Sequence, residues 1–583
     1  MARHRLKFFS VLLIAALAAT SFGSVRIGTS VGLPFQCQLD GSENTFAVAN
    51  MTALNGVSGL YVNKLSATGK VVFSDRVGYS PAATPFAFFL DPAGNSFTVS
   101  NMTALNGVAG LYVTKINPTG GVVYSARLGY NAAALPFSAS LDTSGNVHVV
   151  SSMTALNGVA GLYCLKLNTA GASVYSVRLG TNPAPAPFQM QVDTAGNAYA
   201  LANLTALNGV AGLYLTKLSS TGTTVYTGRL GYNPTAQPFG NANDSLGNSF
   251  TVGNMTALNR VSGLYFSKVS PTGSLVYSQR LGYSPTTTPF WANLDAADNA
   301  FTISNLTSLS GVAGLYYSKI NASGTVIYNG RLGYNPAGAP FGAIEDSAAN
   351  LYSVANMFAL NGVAGLYSNK ITSAGLLVYN DRLGYNPAAA PFDARIDGSS
   401  NAYSFANMTA TNGIAGLYVT KLNPTGGLVF SDRLGYNPAS APFADILDSA
   451  LNVYIAANMT AVTGSFGMYL TKLNSAGKVT YSVRLGTNPA LAPFGYYVDG
   501  SGNAFTMVNM INLSGLPGLY LNKVSSTGVT IYSARLGTNP STTPSNYFID
   551  SAGNAISVTS MTALTGLPGL YVSKLSPTGA TIF

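Results

Sequence analysis

The sequence predicts an all-β protein, a β-propeller of four-stranded blades. The simplest form is one ring of eleven 51-residue repeats closed by pairing of the N- and C-terminal segments. Three observations lead there. Lysine recurs at Lys64, Lys115 and Lys166, and then every 51 residues to Lys574, so one small unit is stacked on copies of itself. Each unit reads as four short strands separated by turn signals, with no 3.6-residue period. Finally, the chain stops at Ala580-Thr581-Ile582-Phe583, and Ser24-Val25-Arg26-Ile27-Gly28 is the continuation that the other units possess.

The unit from Asp397 to Asp448 shows each element in turn. Asp397-Gly398-Ser399-Ser400-Asn401 is a tight turn, because Asp bonds to the following backbone and Asn tolerates positive φ. Ala402–Asn407 alternates apolar and small residues, a strand pattern. A loop, Met408–Gly413, leads to the strand Gly416–Leu422, and Asn423-Pro424-Thr425-Gly426-Gly427 marks a hairpin turn. A third strand, Leu428–Leu434, carries Phe430 and Arg433. Gly435-Tyr436-Asn437-Pro438 then breaks the chain before a fourth, Pro442–Leu447. Leu417, Tyr418, Val419 and Leu422 do not alternate with polar residues, as expected of strands covered on both faces.

The order D-x-x-G-N-x-Y/F, then L-Y-x-x-K-L-x-x-x-G, then V-Y-S-x-R-L-G resembles the SBBP-type β-propeller repeat of secreted bacterial proteins. The resemblance spans essentially all of residues 24–583. It implies a propeller and says little about a ligand. Local departures are Ala348-Ala349-Asn350, Ala450-Leu451-Asn452, Arg260 in place of a loop glycine, and Ser545 in place of phenylalanine.

Residues 1–23 read as a signal peptide: Arg3, Arg5 and Lys7 precede an apolar run from Phe8 to Ala19, with small residues after it. The domain expectation is therefore a signal peptide over 1–23 and the repeat ring over 24–583, secreted or held at the cell surface. Only 8% of the chain is charged, with a formal net charge of +10. Most of the cations are the repeat lysines and a repeat arginine running from Arg26 and Arg76 to Arg535. Internal ion pairs in every unit outweigh rings of charge facing an anionic partner, and such dispersion is a poor footprint for nucleic acid. Cys37 and Cys164 sit at different offsets, which excludes a repeat-wide disulfide framework and favours free, buried thiols.

Catalytic machinery does not repeat with the unit. His148 is the one histidine outside the leader, and no triad or metal cluster can be built around it. Asp432 with Asp445, and Glu345 with Asp346, are weak carboxylate pairs. The turn aspartate offers calcium a single carboxylate. Asn-x-Thr at Asn50, Asn101, Asn203 and elsewhere reads as turn chemistry. The apolar loops, such as Met102–Gly107 and Gly384–Phe392, read first as satellite packing and second as a ring of pockets for neutral sugars or a protein surface.

The expectation is thus a secreted, non-enzymatic propeller serving as a binding or structural module, multivalent for glycan or protein surfaces. No catalytic, metal or cofactor residue is assigned, and the binding residues are unknown. Carbohydrate or a surface protein is the expected partner, with no nucleic acid, no membrane insertion and a monomeric chain. The alternatives are a hydrolase or lyase using one atypical blade and, behind it, an outer-membrane β-barrel.

Overall fold

The computed structural model describes residues 24–29 and 35–583, apart from ten short loops at 81–85, 132–136, 183–187, 234–238, 284–289, 336–340, 387–391, 438–442, 489–493 and 540–544. The leader expected at 1–23 lies outside the described residues. Everything described is β-strand and turn, in 44 strands belonging to one hydrogen-bonded sheet.

A typical unit starts with a short strand, Phe86–Leu90, followed by two long strands, Ser96–Ala104 and Ala109–Ile116, and an outer strand, Val122–Tyr130. Neighbours within the unit are antiparallel. The Asp turn closes the first hairpin: in the turn after Asp142, the carboxylate accepts the backbone N–H groups of Ser144 and Asn146. The tip between the two long strands is closed by the N–H of Gly107 donating to the carbonyl of Ala104.

Units do not end at their own edges. The last two residues of each outer strand pair with the first long strand of the next unit, Gly78 with Ala104 and Tyr79 with Thr103. Asparagine side chains reinforce the joint: Asn101 Nδ2 donates to Asn131 Oδ1 at 2.7 Å, and Asn131 Nδ2 donates to the Ser152 carbonyl at 2.9 Å in the following unit. The sequon asparagines Asn101, Asn203, Asn305 and Asn407 are therefore buried strand residues of these joints and not turn residues.

The circuit is completed by Val25–Thr29, which pairs with Pro568–Leu575 on one side and with Thr52 and Ala53 on the other. Three strands of every unit thus form a closed β-barrel circuit of 33 strands, with the eleven short strands attached along it. This corrects the propeller of four-stranded blades and the SBBP-type resemblance that implied it. The physical reason is the Gly–Ala and Tyr–Thr pairing between units: hydrogen bonds run on where separate blades would present an edge.

The cores make the same point. Phe97, Val99, Leu111 and Val113 of one unit pack on Val147, Val149, Met153 and Tyr163 of the next. At the closure Ile556, Val558, Leu570 and Val572 pack on Ala47, Ala49, Met51 and Tyr61. No cluster belongs to one unit, so the repeat is not a tandem module that could fold alone.

Glycine at the joint is required by space. A Cβ at Gly333 would lie 2.3 Å from the carbonyl oxygen of Phe358, whereas one at Gly342 would meet nothing within 4 Å. Gly333→Ala should destabilise the fold by about 1–3 kcal/mol, and Gly342→Ala by less than about 0.5 kcal/mol. Urea titrations of the two variants check the contrast.

Candidate functional site

Each unit has a turn end, bearing the Asp turns, and a hairpin end, bearing the tips between the long strands. The turn end holds the repeat lysines. Lys421 Nζ lies 4.8 Å from the ring centre of Tyr403, 3.7 Å from Asp397 Oδ2, and donates to the Ser475 carbonyl of the next unit at 3.5 Å. Nine repeat lysines lie over an aromatic ring in this way among the described residues. Each of the nine also donates to a carbonyl of the next unit, and Lys64, Lys268, Lys319 and Lys421 reach a carboxylate as well, so their charge is held inside the protein.

His148 takes the aromatic seat in its unit. It is fully buried, and its Nε2 lies 3.1 Å from Asp142 Oδ2, the carboxylate that Lys166 also reaches at 3.4 Å. Burial pushes the Asp142 carboxyl up, but bonds from Asn146 and His148 outweigh it and hold the group at about 2. Asp40, Asp346, Asp397 and Asp550 are lowered by the same kind of bonding against the same burial. A carboxyl lowered in the folded state gives stability that is complete above its ordinary value of 3.8 and is lost as pH falls below it. These five groups should therefore lower the melting temperature as pH falls below about 4, against an opposing gain on acidification from carboxyls that burial raises, Asp445 to about 7 among them. Asp142→Asn with His148→Phe should flatten the acid limb in thermal melts, and an unchanged limb would contradict the assignment.

At the hairpin end the arginines behave differently. Arg127 Nε donates to the carbonyl of Ala109 beside the tip, and the same bond recurs at Arg280 and Arg433. Among the described residues, none of the eleven repeat arginines forms an ion pair with a carboxylate; Arg395 is the arginine that does. Around them stand exposed apolar side chains: Leu105 is 65% exposed, Val108 42% and Tyr130 51%, with counterparts in most units. Met102, by contrast, is buried beneath the tip. The apolar loop noted in the sequence thus divides, with Met inward and Leu and Val outward.

The short strands are where units differ most, from FQCQL and FWANL to FDARI. Each pairs along one edge only, and side chains cover parts of the free edge. Gln36 and Gln38 donate to the carbonyls of Phe86 and Phe88 in the next unit, at 3.1 and 3.3 Å. Arg395 bridges Asp393 and Asp445, with Nε 2.5 Å from Asp445 Oδ2. Asp432 lies on the outer strand and Asp445 on a short strand of the next unit, so the structure does not make them a pair. Glu345 instead accepts from Asn293 at 3.0 Å, while Asp346 caps its own turn. Trp291 lines a cavity of about 320 Å³ with Phe266, Phe290 and Asn241. Cys37 and Cys164 are free thiols, on strands of the first and third units. Among the described residues, no three His, Cys, Asp or Glu side chains gather as metal ligands would. The unpaired arginine row was legible as a repeat in the sequence; its lack of acidic partners needed the register of the strands.

No known family profile matches the chain, and no curated protein does. Among solved structures, the chain is similar to a eukaryotic initiation factor at 10% identity and a TM-score of 0.37, over 73% of this chain and 94% of that one. It is similar to the WD40 domain of SCAP from fission yeast at 11% identity and a TM-score of 0.29, over 68% and 96%. A third is the V. cholerae biofilm matrix protein Bap1, at 11% identity and a TM-score of 0.27, over 94% and 88%. Likeness at this level carries no argument about fold or function.

Proposed function

We propose that the chain is a structural β-barrel of the outer-membrane type, in which the closed ring itself is the working part. The secreted propeller module expected from the sequence falls with its blades. The observation that carries the new reading is closure: all 33 circuit strands have hydrogen-bonded neighbours on both sides. Lipid imposes that requirement on β-structure, since an unpaired edge in hydrocarbon costs several kcal/mol per group. The single-edged strands are the eleven short ones, which suits a protein-lined interior.

Long strands such as Ser96–Ala104 are buried on both faces through most of their length. Lipid contact therefore falls on the outer strands and the hairpin end, not on alternate residues of every strand. Outer strands begin with exposed apolar residues, as at Val71 and Val72 or Leu428 and Val429. No described helix is long and apolar enough to cross a membrane. The expectation of no membrane insertion gives way in this reading. Export through a leader, a single chain per ring, and the lack of any catalytic step are retained as parts of the proposal.

Fractionation tests it. The chain should sediment with the cell envelope, resist alkaline carbonate, and leave only with detergent. Release into the aqueous phase by salt or carbonate alone would overturn the barrel reading.

A further inference from the structure

We infer that the hairpin end is a docking face for an anionic lipid bilayer, recognised through phosphate-bearing headgroups. The inference rests on the outer-membrane-type reading and names the surface and lipid chemistry that it leaves open.

Strand register defines the face. Arg433 pairs with Tyr418, Tyr418 with Ala406, and Ala406 with Phe392, so the arginines form one level across each unit. At that level and beyond it toward the tips, the chain bears the eleven repeat arginines and Arg260, and no carboxylate. The other fourteen cations outside the leader share the rest of the ring with all nineteen carboxylates. The repeat lysines among them are consumed internally, as described above. The charge is thus polarised along the axis from tips to turns, the nearest carboxylates being Asp75, Asp381, Asp393 and Asp432, one rung on the turn side of the arginines.

What surrounds the arginines fits a bilayer. Leu156 and Leu207 stand about two-thirds exposed at the tips, and Tyr232 and Tyr385 about half exposed beside them. Apolar tips can enter the acyl boundary, tyrosine rings favour the headgroup level, and guanidinium groups bind phosphate through paired N–H donors. Arg260 is informative. It occupies a tip position with φ of 65° where other units place glycine, so a strained conformation is tolerated there for a twelfth cation. A second copy of the same face would repel, because it presents the same unpaired charge.

The test uses the full chain and flotation on vesicles of phosphatidylcholine, with or without phosphatidylglycerol. Initial capture by the vesicles, read before insertion, should require the anionic lipid and slow as salt rises from about 50 to 500 mM, whereas the inserted chain should no longer be released by salt. Arg331→Gln, Arg382→Gln and Arg433→Gln together should weaken capture by about a hundredfold. The matching lysine substitutions should restore most of it. Lys70→Gln with Lys478→Gln, both exposed at the turn end, should leave binding unchanged. Leu156→Asn with Leu207→Asn, at exposed sites that do not bear on folding, should weaken binding at least tenfold.

Equal binding to neutral and anionic vesicles would overturn the inference, as would equal loss from the turn-end lysines. Capture by polyglutamate with none by vesicles would assign the face to an acidic protein instead, and a defined dimer closing the face would assign it to a second copy. The two readings fail separately. A detergent-requiring chain indifferent to lipid charge keeps the barrel and loses this inference. A chain that floats with anionic vesicles but is washed off by salt does the reverse.

Discussion

Lys574→Ala should lower the folding free energy by about 3 kcal/mol, the lower part of the range for breaking a buried ion pair. Lys574 Nζ lies 2.8 Å from Asp550 Oδ2, and the two side chains are 4% and 0% exposed. It also donates to the Ala67 carbonyl at 3.2 Å, across the seam between the last unit and the first. Ile556 occupies the place that an aromatic ring fills in most other units, so the carboxylate is this lysine's principal partner. Removing the ammonium leaves Asp550 buried and charged, although its turn bonds from Asn554 remain and limit the loss. Lys574→Met with Asp550→Asn should recover more than half of the deficit, because neither charge is then left alone. Chemical denaturation of the three variants measures both effects. A single substitution costing under about 1 kcal/mol would show that the pair is not buried in solution.

Deleting residues 24–29 should have the second large effect, and of another kind. Among the described residues Val25–Thr29 is the strand that pairs with both ends of the circuit, and its loss bares the edge of Pro568–Leu575 together with Thr52 and Ala53. It also withdraws Ile27 from the core that the first and last units share. Exposed strand edges recruit other chains. The truncated protein should therefore form concentration-dependent oligomers by light scattering, at concentrations where the intact chain does not, and melt at a lower temperature. A truncated chain with unchanged size and melting point would place the closure elsewhere.

The positions of the strands were legible because their causes are local. Asp and Asn in the turns, Gly at positive φ and the β-branched and aromatic runs place Ala402–Ala410, Ala415–Leu422 and Leu428–Tyr436 within a residue or three of where sequence reasoning put them. The connection between units was not legible. Gly435 and Tyr436 read as a chain break, yet they pair with Ala461 and Thr460 of the next unit and turn separate sheets into one. Nothing in a Gly-Tyr pair signals partners 26 and 24 residues away. The cation rows split for a similar reason. Lysine and arginine repeat equally well, and only register reveals that six of the lysines reach carboxylates at the turn end while the repeat arginines, among the described residues, reach none.

The shared cores have a consequence for how the molecule comes apart. An open array of repeats frays from its terminal caps, where one face has lost its neighbour. This ring has no such cap, because Phe35 and Ile27 of one end pack with Val558 and Val572 of the other. Opening any unit means breaking two interfaces at once before any chain entropy is regained. Amide exchange should accordingly be nearly uniform around the circuit, with long-lived protection in every long strand and no progressively softer end. Persistence under conditions where the folded state is no longer favoured would be a property of the loop as a whole and of no single repeat.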